Sequence, residues 1–286
     1  MFAAPDRFAY TDFLDFLNTY DKAASVIRTG DDYRDITCEY LTGCAEQGAI
    51  YVELTASPDH ARLVGLSDEE HLDGIARGID DARTDSGIEA RILISCVRNF
   101  GVDPALRVAR YAAERPHPYV VGFSMAGDEE NHPPAAYAEA FQTAADAGLG
   151  CSVHAGEWAG PESVREGVQL PVSRIGHGVR SIEDPELVEE LAERGTVLEV
   201  CPTSNVVLGI YPTYEEHPLP RLMDAGVRVT LGSDDPPYFG ASIGGEYAVC
   251  RDRLGFDDAT LRGITRTGIE AAFCEETLKE RLIEKM

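Results

Sequence analysis

Between His154 and Pro236 the chain repeats one arrangement: a short apolar run that stops at a compact polar cluster. The clusters are His154-Ala155-Gly156-Glu157, Ile175-Gly176-His177-Gly178, Cys201-Pro202-Thr203-Ser204-Asn205 and Gly232-Ser233-Asp234-Asp235-Pro236. Helical sequence separates them. Strands buried on both faces of a parallel sheet read as such apolar runs, and parallel strands joined by helices bring their ends to one side. Few other arrangements gather polar groups after so many successive strands, so the chain is constrained to an α/β architecture with its site at the strand ends.

Reading outward from that stretch, apolar runs predict strands at 50–55, 90–97, 119–123, 150–153, 174–175, 197–200 and 227–231. Helical periodicity fills 67–86, 103–115, 134–147, 160–168, 184–194, 217–225 and a tail over 242–286. Two helices, over 11–28 and 31–47, open the chain, and no strand is predicted before Asp12. The rhythm is that of a (β/α)8 TIM-type barrel with seven predicted strands, the first strand missing, in a single domain over 1–286. A doubly wound sheet would gather its ligand residues at one switch point, commonly behind a Gly-rich turn after the first strand. Here the clusters follow at least five strands, and no GxGxxG follows the first.

Charge narrows the partners. Asp and Glu number 50 against 25 Lys and Arg, a net charge of −25, which repels phosphate backbones and anionic lipid; no nucleic-acid or membrane partner is expected. The seven cysteines (38, 44, 96, 151, 201, 250, 274) never form a CxxC pair, and no apolar run is long enough to span a membrane. The first residues lack the basic and apolar regions of a secretory signal. Reduced thiols and a cytoplasmic location are the expectation.

Each cluster carries recognisable chemistry. His154 can ligate a metal while Glu157 reaches a bound substrate, because a carboxyl in a partly dry pocket becomes a proton donor near neutrality; a core histidine beside a solvated Glu is the plainer reading. His177, between two glycines, could be base, electrostatic stabiliser or ligand, or only a turn residue. The adjacent carboxyls of Asp234 and Asp235 can point apart, one to a metal and one to a ligand nitrogen, or cap a turn. Cys201 fits a small core residue better than a zinc ligand, and Ser204 and Asn205 suit supporting positions. Gly127 offers a backbone N–H at a strand end, and Trp158 and Tyr238 line a pocket mouth or simply pack.

In this order, the four clusters, with Ala126-Gly127-Asp128-Glu129 before them, resemble the motifs of the adenosine deaminase family of the amidohydrolase superfamily. The likeness runs from about residue 8 onward. It implies that His154 and Asp234 are zinc ligands, that Glu157 gives a proton to purine N1, and that His177 orients or deprotonates the attacking water. It further implies that Asp235 contacts N7 and the Gly127 amide contacts N3. The implied reaction is hydrolytic deamination at purine C6, adenosine to inosine plus ammonia, with one Zn2+ per chain. Gly176, where adenine-preferring relatives tend to carry Asp, points toward a nucleoside. The PCxxC pair of the other zinc nucleobase deaminases does not occur here.

One family feature is absent. Members begin with a strand carrying HxH, two histidines on one side of a strand, whereas the first histidine here is His60. Catalytic zinc usually has three protein ligands, so His154 and Asp234 alone are expected to hold zinc weakly, with His60 the residue available for recruitment. A barrel without its first strand also has two unpaired edges to cover. The expectation is therefore a purine aminohydrolase represented without its first βα unit. The alternatives are a catalytically inactive, metal-free nucleoside-binding remnant, or a deaminase of adenine, a modified adenosine or aminodeoxyfutalosine. The sequence leaves the oligomeric state open.

Overall fold

The strands of the main sheet are short, largely buried segments, each separated from the next by helix. The computed structural model describes residues 2–4, 7, 8, 10, 11, 13–114 and 117–286. Two short strands come first, β1 (Phe2–Ala4) and β2 (Arg7–Phe8), paired antiparallel with each other. The expectation that no strand precedes the first helix is corrected to that extent, although the hairpin stands apart from the main sheet. Strands β3 (Tyr51–Ala56), β4 (Glu89–Val97), β5 (Val120–Ala126), β6 (Gly150–Ala155), β7 (Arg174–His177), β8 (Val197–Val200) and β9 (Arg228–Leu231) then form one parallel sheet in sequence order. These are the seven strands read from the sequence, curled as an α/β half-barrel. Among the described residues no strand pairs with the outer edge of β3 or β9.

Local signals set the helix boundaries. Thr29 and Asp32 close a capping box at the start of helix Gly30–Glu46, and Ser67 and Glu70 do the same for Asp68–Ser86. Asp184 caps Pro185–Arg194, which ends at the left-handed Gly195. The predicted helix over 103–115 runs as Val102–Ala113, its final residue lying outside the described ones. Short helices at Pro58–Leu63, Pro202–Val207 and Pro236–Phe239 were not anticipated; each starts with a proline at its first position, where a missing N–H costs nothing.

The gap between β3 and β9 is bridged by other elements. Ile50 and Tyr51 pack against Ile269, Ala272, Cys274, Leu278 and Leu282, so the two last helices, Asp258–Ala271 and Glu276–Lys285, shield the start of β3. The Tyr40 hydroxyl lies 3.1 Å from Ser233 Oγ, and the Gly244 N–H donates to Gln47 Oε1 at 2.9 Å. These contacts tie helix Gly30–Glu46 and the residue after it to the chain beyond β9.

The barrel floor is polar. Arg174 of β7 is buried and ion-paired with Glu53 of β3 (Nη2 to Oε2, 2.6 Å) and with Glu199 of β8 (Nε to Oε1, 2.9 Å). Its Nη1 donates to the Ala271 carbonyl at 3.0 Å, and its guanidinium carbon sits 3.6 Å from the centroid of the Phe273 ring. Glu53 also accepts from the Phe273 N–H at 2.7 Å, and Ser152 of β6 donates to Glu199. Removing one member of a buried pair leaves its partners charged in a dry interior, which costs about 3–5 kcal/mol. Arg174→Met is therefore expected to lower the unfolding free energy by roughly that amount, read as a shift in the urea midpoint, and the double variant Arg174→Met/Glu53→Gln to recover part of it.

Candidate active site

Because all seven strands run the same way, the polar residues at their C-terminal ends meet on one rim. Gly127 follows β5, His154 is the last but one residue of β6, His177 ends β7, Cys201 follows β8, and Asp234 and Asp235 stand just beyond β9. Register places His154 beside Gly176 and Ala155 beside His177 on the neighbouring strand. A Cβ at 176 would sit 2.7 Å from His154 Nδ1, so the glycine makes room for that imidazole. The functional residues share in the backbone bending at the rim: besides Gly127, Gly156 and Gly178, His177 has φ 58° and Asp234 φ 55°, both in the left-handed region that non-glycine residues rarely adopt.

The side chains converge. His154, His177 and Asp234 each offer a donor atom, all within 4.8 Å of one another. His177 Nε2 is 3.7 Å from Glu157 Oε1 and 3.7 Å from Asp234 Oδ2. Burial holds the His154 imidazole well below its usual range, with His177 and the Arg98 guanidinium adding to the effect, so it is neutral and has a lone pair to give. Its Nδ1 is buried without a hydrogen bond. A neutral nitrogen donor and a carboxylate facing one space suit a divalent cation such as zinc.

The acids are tuned by the same burial. Burial pushes the Glu157 carboxyl up to about 7; His177 pulls it down, and Asp234 and Glu129 push it up again. Asp235 is raised well above the carboxylate range by burial and then by Asp234 and Glu157. For His177, burial acts downward, but the facing Glu157 and Asp234 outweigh it and raise the imidazole.

Two arrangements hold these groups. The buried Glu129 carboxylate accepts from four successive N–H groups: that of Gly156, and those of Glu157 (3.0 Å), Trp158 (2.9 Å) and Ala159 (3.2 Å). An anion in such a concave run of amides fixes the loop that carries Glu157. Arg98, fully buried, donates to the His154 carbonyl at 2.5 Å and the His132 carbonyl at 3.2 Å, bracing the end of β6. On the other side, Asn205 Nδ2 is 3.2 Å from His177 Nδ1, Asn205 Oδ1 is 3.1 Å from His217 Nε2, and the Leu219 N–H donates to His217 Nδ1 at 3.2 Å.

Comparison with known proteins agrees with this geometry. The sequence pattern of the family described as adenosine deaminase matches residues 5–286. The chain belongs to the adenosine deaminase family. It is 48% identical over 286 residues to an adenine deaminase of Agrobacterium fabrum, covering 100% of this chain and 88% of that protein. Among solved structures, an adenine deaminase from Arthrobacter aurescens superposes with a TM-score of 0.91 at 29% identity, over 96% of this chain and 84% of that one. An amidohydrolase from Burkholderia ambifaria with bound zinc gives 0.85 at 27% identity, over 90% and 74%. The family's members are hydrolases, and two of these three relatives are named adenine deaminases.

Within this family frame, other expected residues fall as follows. His60 is not part of the cluster; its Nε2 pairs with Asp21 Oδ1 at 2.9 Å and its ring lies against Tyr20 and Phe100. Cys201 is a small buried residue whose thiol lies 3.7 Å from the Glu199 carbonyl. Gly127 has φ 109°, and a Cβ there would meet Asn99 Oδ1 at 2.2 Å. Asn205 supports His177 as a neighbour should, while Ser204 Oγ is buried without a hydrogen-bond partner. Trp158 packs on Phe13 with centroids 4.7 Å apart, and Tyr238 stacks on Phe8 (4.5 Å) and Tyr20 (5.2 Å), so the opening segment and helix Phe13–Ala24 lie over the rim.

Sequence reasoning missed Arg98, His217 and Glu246. The first two sit in segments with no cluster around them, though the dipeptide His217-Pro218 ahead of a helix was a visible signal. Glu246 is fully buried; one oxygen accepts from the Thr203 N–H at 3.1 Å and the other has no partner. Burial pushes its carboxyl up to about 7, the Thr203 contact acting downward and Asp234 adding a smaller push upward. A carboxyl raised on folding contributes its full stability below its unfolded pKa and loses it as pH rises through about 7. Glu246→Gln keeps an acceptor for Thr203 and removes the charge. The variant is expected to gain on the order of 3 kcal/mol relative to the parent between pH 5 and 8, measured as urea midpoints that separate as pH rises to about 7 and then stay apart.

Proposed function

We propose that this protein hydrolyses adenine to hypoxanthine and ammonia with one zinc ion per chain. The observation that carries the reading is the Glu157–His177–Asp234 arrangement: a buried carboxyl raised to about 7, 3.7 Å from an imidazole that faces Asp234 at the same distance. The choice of adenine over adenosine is supported by the relatives of known name, which include adenine deaminases at 48% and 29% identity. The lean toward a nucleoside drawn from Gly176 loses its force, since the His154 ring alone requires a glycine there.

His154 and Asp234 would hold the cation, which when bound lowers the pKa of water enough to supply a nucleophile at neutral pH. Glu157, protonated because it is buried among acids, gives its proton to purine N1 as oxygen adds at C6. Adding a proton at N1 draws electrons out of the ring and makes C6 the electrophile. His177 lies between Glu157 and Asp234 and orients the water by hydrogen bonding. Asp235, raised by burial and then by Asp234 and Glu157, can donate to a ring nitrogen such as N7, and the Gly127 N–H at the end of β5 is the donor for N3. The water oxygen stays on C6; one of its two protons goes to the amino group, which departs as ammonia, and the other replaces the proton that Glu157 gave to N1, so the acid is restored.

With zinc in excess, the protein is expected to consume adenine and release hypoxanthine and ammonia in equal amounts. Glu157→Gln is expected to lower kcat by about 10²–10⁴-fold. The acid must be protonated to act, so kcat should fall as pH rises through about 7. A larger kcat/KM for adenosine than for adenine would overturn the substrate assignment; stoichiometric zinc binding without turnover of any 6-aminopurine would overturn the reaction.

A further inference from the structure

The direction of every hydrogen bond between Leu219 and His177 is fixed by one backbone group. An amide N–H can only donate, so His217 Nδ1, 3.2 Å from the Leu219 nitrogen, must carry a lone pair. His217 is buried, and burial pushes its imidazole down to about 3, so the ring is neutral with its hydrogen on Nε2. That hydrogen meets Asn205 Oδ1 at 3.1 Å, which sets the amide the right way round. The Asn205 NH2 then faces His177 Nδ1 at 3.2 Å and can only donate to it. His177 Nδ1 is therefore an acceptor, and a neutral His177 has its hydrogen on Nε2, the nitrogen that faces Glu157 and Asp234.

We propose that His217, acting through Asn205, is a positioning residue that fixes His177 as its Nε2–H tautomer and so makes it a hydrogen-bond donor toward the reacting centre. Neither ring nitrogen is then free to take a proton from water or to ligate a cation, which narrows the earlier choice between orienting and deprotonating to orienting. Placing a hydrogen on Nδ1 would require the Asn205 amide to turn over, bringing its NH2 against the His217 Nε2–H. Asn205 is fully buried and His177 and His217 nearly so, so a mismatched pair finds no water to relieve it. The Asn205 backbone is held in place as well, its N–H donating to the Cys201 carbonyl at 3.0 Å and its carbonyl accepting from the Tyr211 N–H at 3.1 Å. Tyr211 packs against the His217 ring with centroids 5.2 Å apart. The tautomer stands on hydrogen-bond direction alone; its role toward the attacking water rests on the deaminase reading.

Nitrogen NMR of protein labelled with 15N-histidine reads the tautomer directly, the His177 pair being assigned by its loss in His177→Gln. The expected pattern is a protonated, pyrrole-type Nε2 and a pyridine-type Nδ1. Asn205→Asp offers Nδ1 only an acceptor and should exchange the two signals. His217→Leu frees the Asn205 amide and should shift the pair toward an average or exchange it; His217→Gln, which can still donate to Asn205 Oδ1, should keep the original pattern. In turnover, His217→Leu should lower kcat on the order of tenfold or more with KM within about threefold, and His217→Gln should restore most of it. A protonated Nδ1 in the parent protein overturns the proposal. So does an unchanged pattern in Asn205→Asp and His217→Leu, or an equal loss of kcat in His217→Leu and His217→Gln. Should His217→Leu fail to fold, the Asn205→Asp and His217→Gln spectra still decide. Should the parent turn over no aminopurine, the spectra test the tautomer while the deaminase reading fails separately.

Discussion

The Arg174 ion-pair cluster is the constraint on which the half-barrel depends. A sheet that stops one strand short of closure has no ladder of hydrogen bonds between its first and last strands, and something else must hold β3 in place relative to the others. Arg174 does so through the interior, pairing with Glu53 on β3 and Glu199 on β8 while its guanidinium face covers Phe273. Phe273 needs space to reach that position. A Cβ at Gly150 would lie 2.2 Å from its ring and one at Gly122 2.9 Å away, so two strands give up side chains to admit it. The floor is thus polar at its centre and plugged from the C-terminal tail. Its charges balance poorly if any one is lost, which is why the cluster specifies one relative placement of the strands.

At the opposite end the balance is deliberately uneven. Glu129, Glu157, Asp234, Asp235 and Glu246 lie close together, and among them stand the Arg98 guanidinium and the His177 imidazole. Burying that many acids is costly, and the surplus shows as raised carboxyls at Glu157, Asp235 and Glu246. The same surplus makes the rim receptive to a divalent cation and to a ring that needs a proton. Glu129 is satisfied differently, by four backbone N–H groups that its carboxyl oxygens accept from. Two neighbouring acids therefore do different work because one has amides to satisfy it and the other has none.

What could be read in the sequence follows the range of the interactions involved. The seven main strands were legible because burial on both faces favours apolar runs, and β4 is buried without a break over Ala90–Cys96, apolar there except at Arg91 and Ser95. His154, His177 and Asp234 could be grouped because parallel strands deliver their ends to one place. The hairpin of β1 and β2 could not, since strands of three and two residues leave no periodicity to detect. Nor could Arg174: an arginine opening a strand reads as solvated until Glu53, 121 positions earlier, is brought beside it (174 − 53). His217 stayed hidden for the same reason, as its importance lies in what Asn205 does next. Apolar pattern reveals where polar groups gather; it carries no information on which of them hydrogen-bond to each other.

The bending at the rim shows how floor and site are linked. The glycines around His177 point to a turn that glycine makes possible; Gly178 takes a positive φ, and so do His177 before it and Asp234. Each such residue costs on the order of 1–3 kcal/mol and persists only where its surroundings over-determine it. For His177 the surroundings are the register with β6 on one side, with the Gly178 N–H donating to the Ala155 carbonyl at 3.0 Å, and the Asn205–His217 pair on the other. For Asp234 they are Ser233, held by Tyr40 across the open edge, and the Gly232 N–H bonded to the Val200 carbonyl at 3.0 Å. Relaxing either residue to ordinary strand geometry would turn its side chain away from the shared centre. The strain therefore aims the imidazole and the carboxylate at each other, and it survives because the buried charge cluster below keeps the strands from sliding to relieve it.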